Sequence, residues 1–528
     1  MDNNAITKSV HSVDESKKDE EQRPITANDS IKCDTFGGCI HVEWDDNQPV
    51  TPFGQLPFFI DFLKTANLFD PWVEECPLKY ASPNCPNVRN ILGTLFLSAL
   101  AGQKRYAHIT AIRNDTLNPP LLGMTKIVSE DSARRAFQKA DPVACANWQK
   151  THLKKCYEDL LAEQWILDMD TTVKTLYGHQ EGAEVGYNPN KRGRPSHTIH
   201  TFMIAQLRII LDCEVLPGTQ HSSNYSMPVL WDLLDSLPSE KQPSLLRGDC
   251  AFGNEKVLNS IESRSLKYLF KIKKTKMIKG LVDVMTYSEN WKDAGQGWEG
   301  IKSEIQLQGW SKRRTVVLLR RLLPKKRGRP NKQNELLFPF YNEEQYRKSK
   351  IKSYEYQVLV TNLDMETVTL AQLYRDRGDG ENVFDELKNQ WGWGGFVTRD
   401  LLRSQIMARV IAQVYNWWLL FVRLANREKH SEGITSRPLL LYAIARQTTS
   451  ARQKTFTVTS SHGKITEVKE RLRWISTALN WIKKQAEQFS IKERWAALLS
   501  IIFSKFLNGR MLGSIKPLKN ELLFLENT

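Results

Sequence analysis

The chain has 528 residues, 41% of them hydrophobic and 25% charged, a composition typical of a globular protein with room for about three domains. Lysine and arginine (74 together) outnumber aspartate and glutamate (59), and the resulting net charge of +15 favours a polyanionic partner. The eight cysteines include no Cys-x2-Cys pair and no apolar run reaches the ~18 residues of a membrane span, which argues against a zinc site, a disulfide framework and a membrane partner.

The N-terminal part of the chain changes from polar to helical in character. Residues 1–45 are polar and poor in aromatic residues, and this composition predicts a disordered tail. Residues 46–163 carry helical patterns, such as the one at 87–102. Asp141 followed by Pro142 predicts the cap and the first turn of another helix. We therefore expect a helical N-terminal domain.

One short stretch of that domain, residues 129–139, has two interpretations. It is either a DNA recognition helix, with Arg134 and Arg135 reaching into a groove, or a solvated helix face. The second interpretation is the commoner one for such a pattern, and we favour it.

From residue 165 onward the pattern changes to short strands. The stretch WILDMDTT, residues 165–172, predicts the first of them. The segments after it predict two strands, a helix and a further strand, at 197–207, 209–221, 227–237 and 244–249. This order predicts an α/β fold in which helices cover the faces of a mixed sheet.

Carboxylate residues occur in two of the predicted strands and in a later helical segment. Asp168 and Asp170 are two residues apart in the first strand, so their side chains point to the same side of the sheet. Asp249 ends a short apolar strand, and Glu381 lies in a later helical segment. Carboxylates in these positions can converge on two metal ions, which activate water and stabilise the leaving oxygen in phosphodiester cleavage.

Glu381 also belongs to a set of four polar residues with helical spacing. Tyr374, Arg377, Glu381 and Lys388 follow one another at steps of three, four and seven, which are neighbouring positions on one helix face. A metal-binding carboxylate would then be flanked by two cations and a phenol that can contact phosphate. Taken alone, this spacing has an alternative interpretation as a solvated polar face.

Two glycines, Gly378 and Gly380, interrupt this helical pattern, because each costs ~1 kcal/mol relative to alanine in a helix interior. Either the helix begins near Asp379, a residue type that caps helices well, or the first half of the motif is a turn. Both possibilities affect the first two residues of the motif more than they affect Glu381.

These motifs resemble the catalytic motifs of insertion-sequence transposases of the Asp-Asp-Glu (DDE) class, in the group with a β-rich insertion. The resemblance rests on Asp170 before two threonines, on Asp249 in RGDCAFGN and on the Tyr-x2-Arg-x3-Glu-x6-Lys spacing. The stretch 177–196 is similar to the segment after the first aspartate in one branch of the group. The motifs extend over about 165–425. They imply a ribonuclease-H-like catalytic core, interrupted by a β-rich insertion and flanked by N- and C-terminal helical domains.

The resemblance also implies roles for individual residues. Asp170, Asp249 and Glu381 would be the catalytic residues and would hold two Mg²⁺ ions, with Mn²⁺ as an alternative. Asp168 is the runner-up to Asp170, which the motif favours because it directly precedes the threonines; otherwise Asp168 would orient the metal ligands. The remaining residues of the spaced motif would bind DNA phosphates: Tyr374, Arg377 and Lys388.

The domain boundaries follow from these assignments. We predict a tail, a helical DNA-binding domain, the first part of the catalytic core, a basic β-rich insertion, the second part of the core and a helical C-terminal domain, at 1–45, 46–163, 164–264, 265–365, 366–426 and 427–528. Strand patterns support the insertion near 266–272, 301–307, 315–323 and 353–361.

The basic sequence KRGRP occurs twice. One copy, at 191–195, lies in the predicted first part of the core, and the other, within 324–332, lies in the predicted insertion. Their arginines either lie in the minor groove of A·T-rich DNA or contact only phosphates. The four arginines are Arg192, Arg194, Arg327 and Arg329.

We therefore expect a DNA transposase that cleaves transposon ends and transfers the strands into target DNA by cut-and-paste. The alternatives are a DNA-binding protein without catalysis and a two-metal nuclease that does not join. The expected partner is double-stranded DNA, both terminal repeats and target, bound by a homodimer in the cytoplasm of a bacterium. An apolar stripe along 472–489 is either the dimer seam or, as we favour, internal packing.

Overall fold

The computed structural model describes residues 30–45, 48–80, 84–189, 191–220, 222–323, 351, 353–427 and 429–513. The chain divides into two units, 1–49 and 50–528. In the first unit, β1 (Ile31–Thr35) and β2 (Gly38–Val42) form an exposed antiparallel hairpin, whose turn is closed by the Thr35 hydroxyl donating to the carbonyl of Gly38 (2.7 Å). This hairpin differs from the disordered tail predicted for 1–45, most of which lies outside the described residues.

The second unit begins with β3 (Val50–Thr51) and a helical segment. Its helices are α1 (Leu56–Thr65), α2 (Phe69–Glu74), α3 (Val88–Leu100), α4 (Asn118–Leu121), α5 (Glu130–Arg135) and α6 (Pro142–Lys155). Strands and helices then alternate as β4 (Ile166–Thr175), β5 (Ser196–Ile204), β6 (Ile209–Pro217), α7 (Ser222–Asp235), β7 (Leu245–Gly248), α8 (Glu255–Glu262), β8 (Tyr268–Lys271) and α9 (Lys276–Met285).

The rest of the unit contains four more strands of the main sheet and then mostly helices. The strands are β9 (Lys292–Gly295), β10 (Trp298–Ile305), β11 (Arg314–Leu322) and β12 (Tyr354–Thr361). The elements after them are α10 (Thr367–Arg375), α11 (Gly378–Gln390), α12 (Leu401–Ala425), α13 (Gly433–Leu440), β13 (Ala445–Ser450), β14 (Gln453–Val458), α14 (Ile465–Lys484) and α15 (Ile491–Ile502).

Nine strands form one mixed sheet in the order β6-β5-β4-β7-β8-β12-β11-β10-β9. The pairs β4–β7 and β7–β8 are parallel, and the other neighbours are antiparallel. The mixed α/β sheet predicted from the sequence is therefore confirmed. The four strands predicted for the insertion are also present, as β8, β10, β11 and β12, and they belong to the same sheet.

The long helix α12 is the centre of the core, because it is buried on nearly all sides rather than along one stripe. It packs on β6 and also on α3, α6 and α14. Its polar side chains are buried with partners: the Asn416 amide accepts from the backbone N–H of Ile210 (2.9 Å) and donates to its carbonyl (2.8 Å). The helix is therefore packed on several faces, although its sequence suggests only one apolar stripe. None of the helices among the described residues is long and apolar enough to span a membrane.

The C-terminal domain at 427–528, predicted to be helical, contains one segment of strands. Strands β13 and β14 form a hairpin, and β13 also pairs with β3 from the N-terminal part of the unit. The two turn residues, Ala451 and Arg452, both have positive φ angles of 47° and 67°. Hairpin turns of this kind usually carry asparagine or glycine, so the sequence gives no turn signal here.

The packing of α14 and α5 bears on the two interpretations that the sequence left open for each of these helices. The apolar residues of α14, among them Leu472, Ile475 and Ile482, are buried against α1 and α12, which supports internal packing rather than a dimer seam. Helix α5 has only six residues, and Arg134 forms a short ion pair with Asp131 on its surface. An exposed ion pair of this kind is expected of a solvated helix face, which is the interpretation that we favour.

The predicted cap of α6 has a testable energetic role. The Asp141 carboxylate accepts a hydrogen bond from the backbone N–H of Ala144 (2.6 Å), which otherwise has no partner within the helix. We expect Asp141→Ala to lower the free energy of unfolding by about 1 kcal/mol, and Asp141→Ser by less, since serine also caps helices. Denaturant unfolding of wild type and the two variants measures the difference; an Asp141→Ala variant as stable as wild type would show that the cap contributes nothing.

Candidate active site

The parallel pairing of β4 with β7 brings the first two predicted carboxylates together. Its register sets Asp168 beside Arg247. Two residues farther along, Asp170 on β4 and Asp249 after the end of β7 are therefore neighbours on the same side of the sheet. Adjacent strands are only about 4.8 Å apart, so the two carboxylates lie at one point of the sheet surface.

Asp249 is held by the turn that leads from β7 into α8. Its carboxylate accepts from the backbone N–H of Ala251 (2.9 Å). The turn then ends at Asn254, whose side chain caps α8 by accepting from the N–H of Val257 (3.2 Å). The capped helix fixes the backbone around Asp249, while one of its carboxylate oxygens stays free of this turn.

The third carboxylate, Glu381, lies in the first turn of α11. Tyr374 belongs to the last turn of α10, and Arg377 is the cap residue before α11. Asp376 and Arg377, between the two helices, keep right-handed helical backbone angles, and Arg377 contacts Glu381 four positions later, as expected for neighbours on one helix face. Of the two expectations from the glycines, the first is close: α11 begins at Gly378, one residue earlier than Asp379.

Gly380 is explained by close packing. A β-carbon at this position would lie 2.7 Å from the Met203 methyl group and 3.4 Å from the Asp168 carboxylate. The first turn of α11 therefore rests directly on β4 and β5. This contact brings Glu381, the next residue, to the side of the sheet that carries Asp170.

Arg377 connects two of the three carboxylates. Its Nη2 lies 3.1 Å from Asp170 Oδ1, and its Nη1 lies 3.3 Å from Glu381 Oε1. The Arg377 side chain is only 7% exposed, whereas that of Glu381 is 71% exposed. The positive charge of the buried Arg377 guanidinium thus offsets the repulsion between the nearby negative charges of Asp170 and Glu381.

Burial and the neighbouring charges shift the pKa values of two groups in this site. Burial raises the pKa of Asp170 to about 6, the negative charges of Asp249 and Glu381 act in the same direction, and Arg377 opposes them. Burial likewise raises the pKa of Tyr374 to about 12. The Tyr374 phenol is therefore protonated at neutral pH and can donate a hydrogen bond.

The donor set suits a hard divalent cation, because Mg²⁺ prefers carboxylate oxygens. Within the described part of the chain, however, no three His, Cys, Asp or Glu side chains lie close enough together to hold a metal ion. Arg377 lies between Asp170 and Glu381 and supplies positive charge there. A metal ion that binds both carboxylates would have to replace this contact.

Asp168, the runner-up for the metal ligand, is fully engaged elsewhere. Arg247 donates to both of its oxygens, from Nε to Oδ1 (2.6 Å) and from Nη2 to Oδ2 (2.8 Å). A short hydrogen bond joins Arg247 Nη1 to the carbonyl of Leu373 in α10. The sequence interpretation missed Arg247, although an arginine inside the apolar run LLRGD signals a buried partner, since buried cations are almost always paired.

The predicted phosphate-binding residues differ in their location and in their exposure. Lys388 lies two turns beyond Glu381 on α11 and is half-buried. Arg192 and Arg194 lie in an exposed loop between β4 and β5. There the ring of Tyr177 is contacted by Lys191 and Arg194, whose cationic groups lie 4.9 and 5.8 Å from its centroid. The other two predicted arginines lie outside the described residues: Arg327 and Arg329.

A groove of about 770 Å³ opens next to the turn after Asp249. Its lining includes Cys250 from that turn, Lys273 and Lys276 from the segment before and within α9, and Trp310. The two lysines are exposed, so they give the groove a positive edge beside the acidic site. An extended polyanion could follow this edge toward Asp249.

The raised pKa of Asp170 predicts a pH dependence of stability. Its pKa in the folded protein, about 6, lies above its ordinary value of 3.8, so the folded state holds a proton that the unfolded state has lost between those two pH values. The stability that Asp170 contributes is full below pH ~4 and is lost as the pH rises through 6, by at most about 3 kcal/mol.

We therefore expect the stability of wild type relative to Asp170→Asn to fall between pH 4 and pH 6. Denaturant unfolding of both proteins with a metal chelator measures this difference, and the other carboxylates cancel in it. A difference that stayed constant or grew with pH would contradict the burial of Asp170.

Comparisons with known proteins found a family match and a similar structure. The model of the transposase DDE domain, group 1, matches residues 86–479. A chain in the cryo-EM structure of the piggyBac transposase synaptic complex with hairpin DNA is similar over 85% of both chains, at 10% sequence identity and a TM-score of 0.36. No curated protein matches the sequence. Because the family match extends over most of its length, the chain belongs to the DDE transposases.

Proposed function

We propose that the chain is a metal-dependent transposase that cleaves DNA at transposon ends and transfers the strands into target DNA. The observation that supports this most is the juxtaposition of Asp170 with Asp249 and the link from Asp170 to Glu381 through Arg377. The strand order β6-β5-β4-β7-β8, with only the first three antiparallel, agrees with a ribonuclease-H-like catalytic core. The domain boundaries predicted from the sequence are also proposed, except that β8 (Tyr268–Lys271), predicted to belong to the insertion, is assigned here to the catalytic core.

Asp170, Asp249 and Glu381 are the proposed holders of two Mg²⁺ ions, for which Mn²⁺ can substitute. Such ions activate the attacking water or hydroxyl and stabilise the leaving oxygen. The protein residues themselves orient the DNA. Arg377 can turn from the carboxylates to a phosphate, with the bidentate geometry that guanidinium groups offer. Tyr374 donates its phenolic hydrogen to a phosphate oxygen.

Basic residues outside the site are proposed to hold the DNA backbone. Lys388 lies on the same helix as Glu381, two turns or about 10 Å away, and is proposed to bind a further phosphate of the DNA backbone. The exposed loop with Arg192 and Arg194 carries further positive charge. Contacts of this kind set the register of DNA without reading its sequence. The proposed partners are terminal repeats and target DNA, bound by a homodimer in the bacterial cytoplasm.

The proposal is tested by cleavage of a duplex that carries the element's own end, in Mg²⁺, with wild type and Glu381→Ala. We expect wild type to nick at the end and the variant to bind equally well without cutting. Equal binding with no cutting by either protein would favour a DNA-binding protein without catalysis. Cutting without joined product would favour a nuclease that does not join.

A further inference from the structure

The buried pair of Asp168 and Arg247 links the two strands that carry the proposed aspartate ligands. Asp168 lies two residues before Asp170 on β4, and Arg247 lies two residues before Asp249 on β7. Both oxygens of Asp168 accept from the guanidinium, and the two side chains are only 3% and 2% exposed. The pair therefore fixes the relative position of the two strands directly beneath the proposed ligands.

The same pair also contacts the segment that carries Glu381. Arg247 donates to the carbonyl of Leu373 in the last turn of α10. In α11, a β-carbon on Gly380 would lie 3.4 Å from Asp168 Oδ2, so the first turn of α11 rests on this carboxylate. One ion pair thus touches all three backbone segments that carry the carboxylates.

Stability alone is a weak reason for such a pair. Burying two charges removes their hydration, and well-packed apolar residues in their place are often neutral or more stabilising. What the bidentate geometry adds is a fixed spacing and orientation of the groups it joins. That property matters most where ligands from separate segments must meet at a metal ion.

We propose that Asp168 and Arg247 are positioning residues, which hold Asp170, Asp249 and Glu381 in the arrangement that binds divalent metal. This inference rests on the metal-binding role proposed above for the three carboxylates. Loss of the groups that orient metal ligands typically lowers metal affinity about 10–100-fold. Asp168→Asn keeps the size of the side chain but turns an amide N–H₂ toward the guanidinium, which breaks the bidentate pair.

A second buried pair in the same unit provides a matched control. Arg409 on α12 donates from Nε to Asp212 Oδ1 (2.8 Å) and from Nη2 to Asp212 Oδ2 (3.2 Å). These side chains are 3% and 2% exposed, as in the first pair. Asp212 lies on β6, two strands away from β4 in the sheet, and contacts none of the proposed ligands. Asp212→Asn should therefore disturb the fold in a similar way without changing metal affinity.

The experiment measures Mn²⁺ binding to the full chain without DNA, from the electron paramagnetic resonance signal of free Mn²⁺. The proteins are wild type, Asp168→Asn, Asp212→Asn and Asp170→Asn, each checked for folding by circular dichroism. We expect Asp168→Asn to lower the affinity at least about tenfold. Asp212→Asn should stay within about twofold of wild type, and Asp170→Asn should lose the site. Equal affinities for Asp168→Asn and Asp212→Asn would overturn the inference.

Arg247→Lys, with Arg409→Lys as its control, replaces the asparagine variants if Asp168→Asn does not fold. Lysine keeps the charge, but one ammonium group cannot bridge Asp168 and the carbonyl of Leu373 as the guanidinium does. We expect the same loss of affinity, and an unchanged affinity would overturn the inference. If wild type itself shows no Mn²⁺ site that depends on Asp170, the proposed metal site fails, and the positioning role fails with it.

Discussion

Asp170→Asn and Asp249→Asn are each expected to lower the rate of DNA cleavage at least about 10³-fold while DNA affinity is retained. Each change removes one negative oxygen from the proposed ligand set and leaves the size of the side chain unchanged. Both residues lie at the sheet surface, where Asp249 accepts only one hydrogen bond from its own turn. Because Asp170→Asn also removes the charge partner of the buried Arg377, circular dichroism of each variant must show an intact fold before the loss is assigned to chemistry.

The matched control for this prediction is Asp379→Asn. Asp379 lies two residues before Glu381 in the first turn of α11, but its side chain is 68% exposed and contacts Arg208 at 3.3 Å on the surface. Exposed ion pairs of this kind contribute only about 0–1 kcal/mol to the free energy of unfolding, so the variant should keep its fold. Since Asp379 is not one of the proposed metal ligands, we expect its cleavage rate to be close to that of wild type. Comparable losses in all three variants would mean that negative charge in general, rather than the proposed ligand set, supports the reaction.

Arg377→Gln is expected to have the second large effect, because Arg377 has two roles in this account. In the metal-free protein it is the buried cation beside Asp170, so its loss should lower the free energy of unfolding by about 2 kcal/mol, less than for a fully buried pair. With DNA it is the proposed phosphate ligand, so cleavage should fall by about 10²-fold.

The two roles of Arg377 separate in a thermal-unfolding measurement with and without Mn²⁺. A ligand that binds only the folded state raises the melting temperature in proportion to its binding free energy. In wild type, Mn²⁺ must displace the Arg377 contact with Asp170 and Glu381, and in Arg377→Gln it need not. The variant should therefore gain more from Mn²⁺ than wild type. Equal gains would show that Arg377 does not compete with the metal.

The sequence predicted the parts of the site that depend on local pattern. Two carboxylates at positions i and i+2 of an apolar run, and an aspartate at the end of another, are recognisable without a fold. The mixed sheet followed from the same strand patterns, and the structure confirms it. The roles assigned to Asp170, Asp249 and Glu381 remain predictions that the experiments above test.

What the sequence could not predict depends on contacts between distant segments. The choice between Asp168 as ligand and as an orienting group depends on its partner Arg247, 79 positions later in the chain. The low helix propensity of glycine at Gly380 argued against a helix there. The structure explains this glycine, because a β-carbon would come too close to Met203 and Asp168, on which α11 rests. The β13–β14 hairpin was missed because its turn at Ala451 has none of the usual turn residues.

The most direct test of the central claim is to locate the metal ions. Crystals of the chain with its cleaved DNA end, soaked in Mn²⁺, give anomalous scattering peaks that mark the ions independently of activity. We expect two peaks about 4 Å apart, bound by carboxylate oxygens of Asp170, Asp249 and Glu381, and the Arg377 guanidinium turned to a phosphate. Metal peaks at other side chains, in a complex that cleaves DNA, would contradict it.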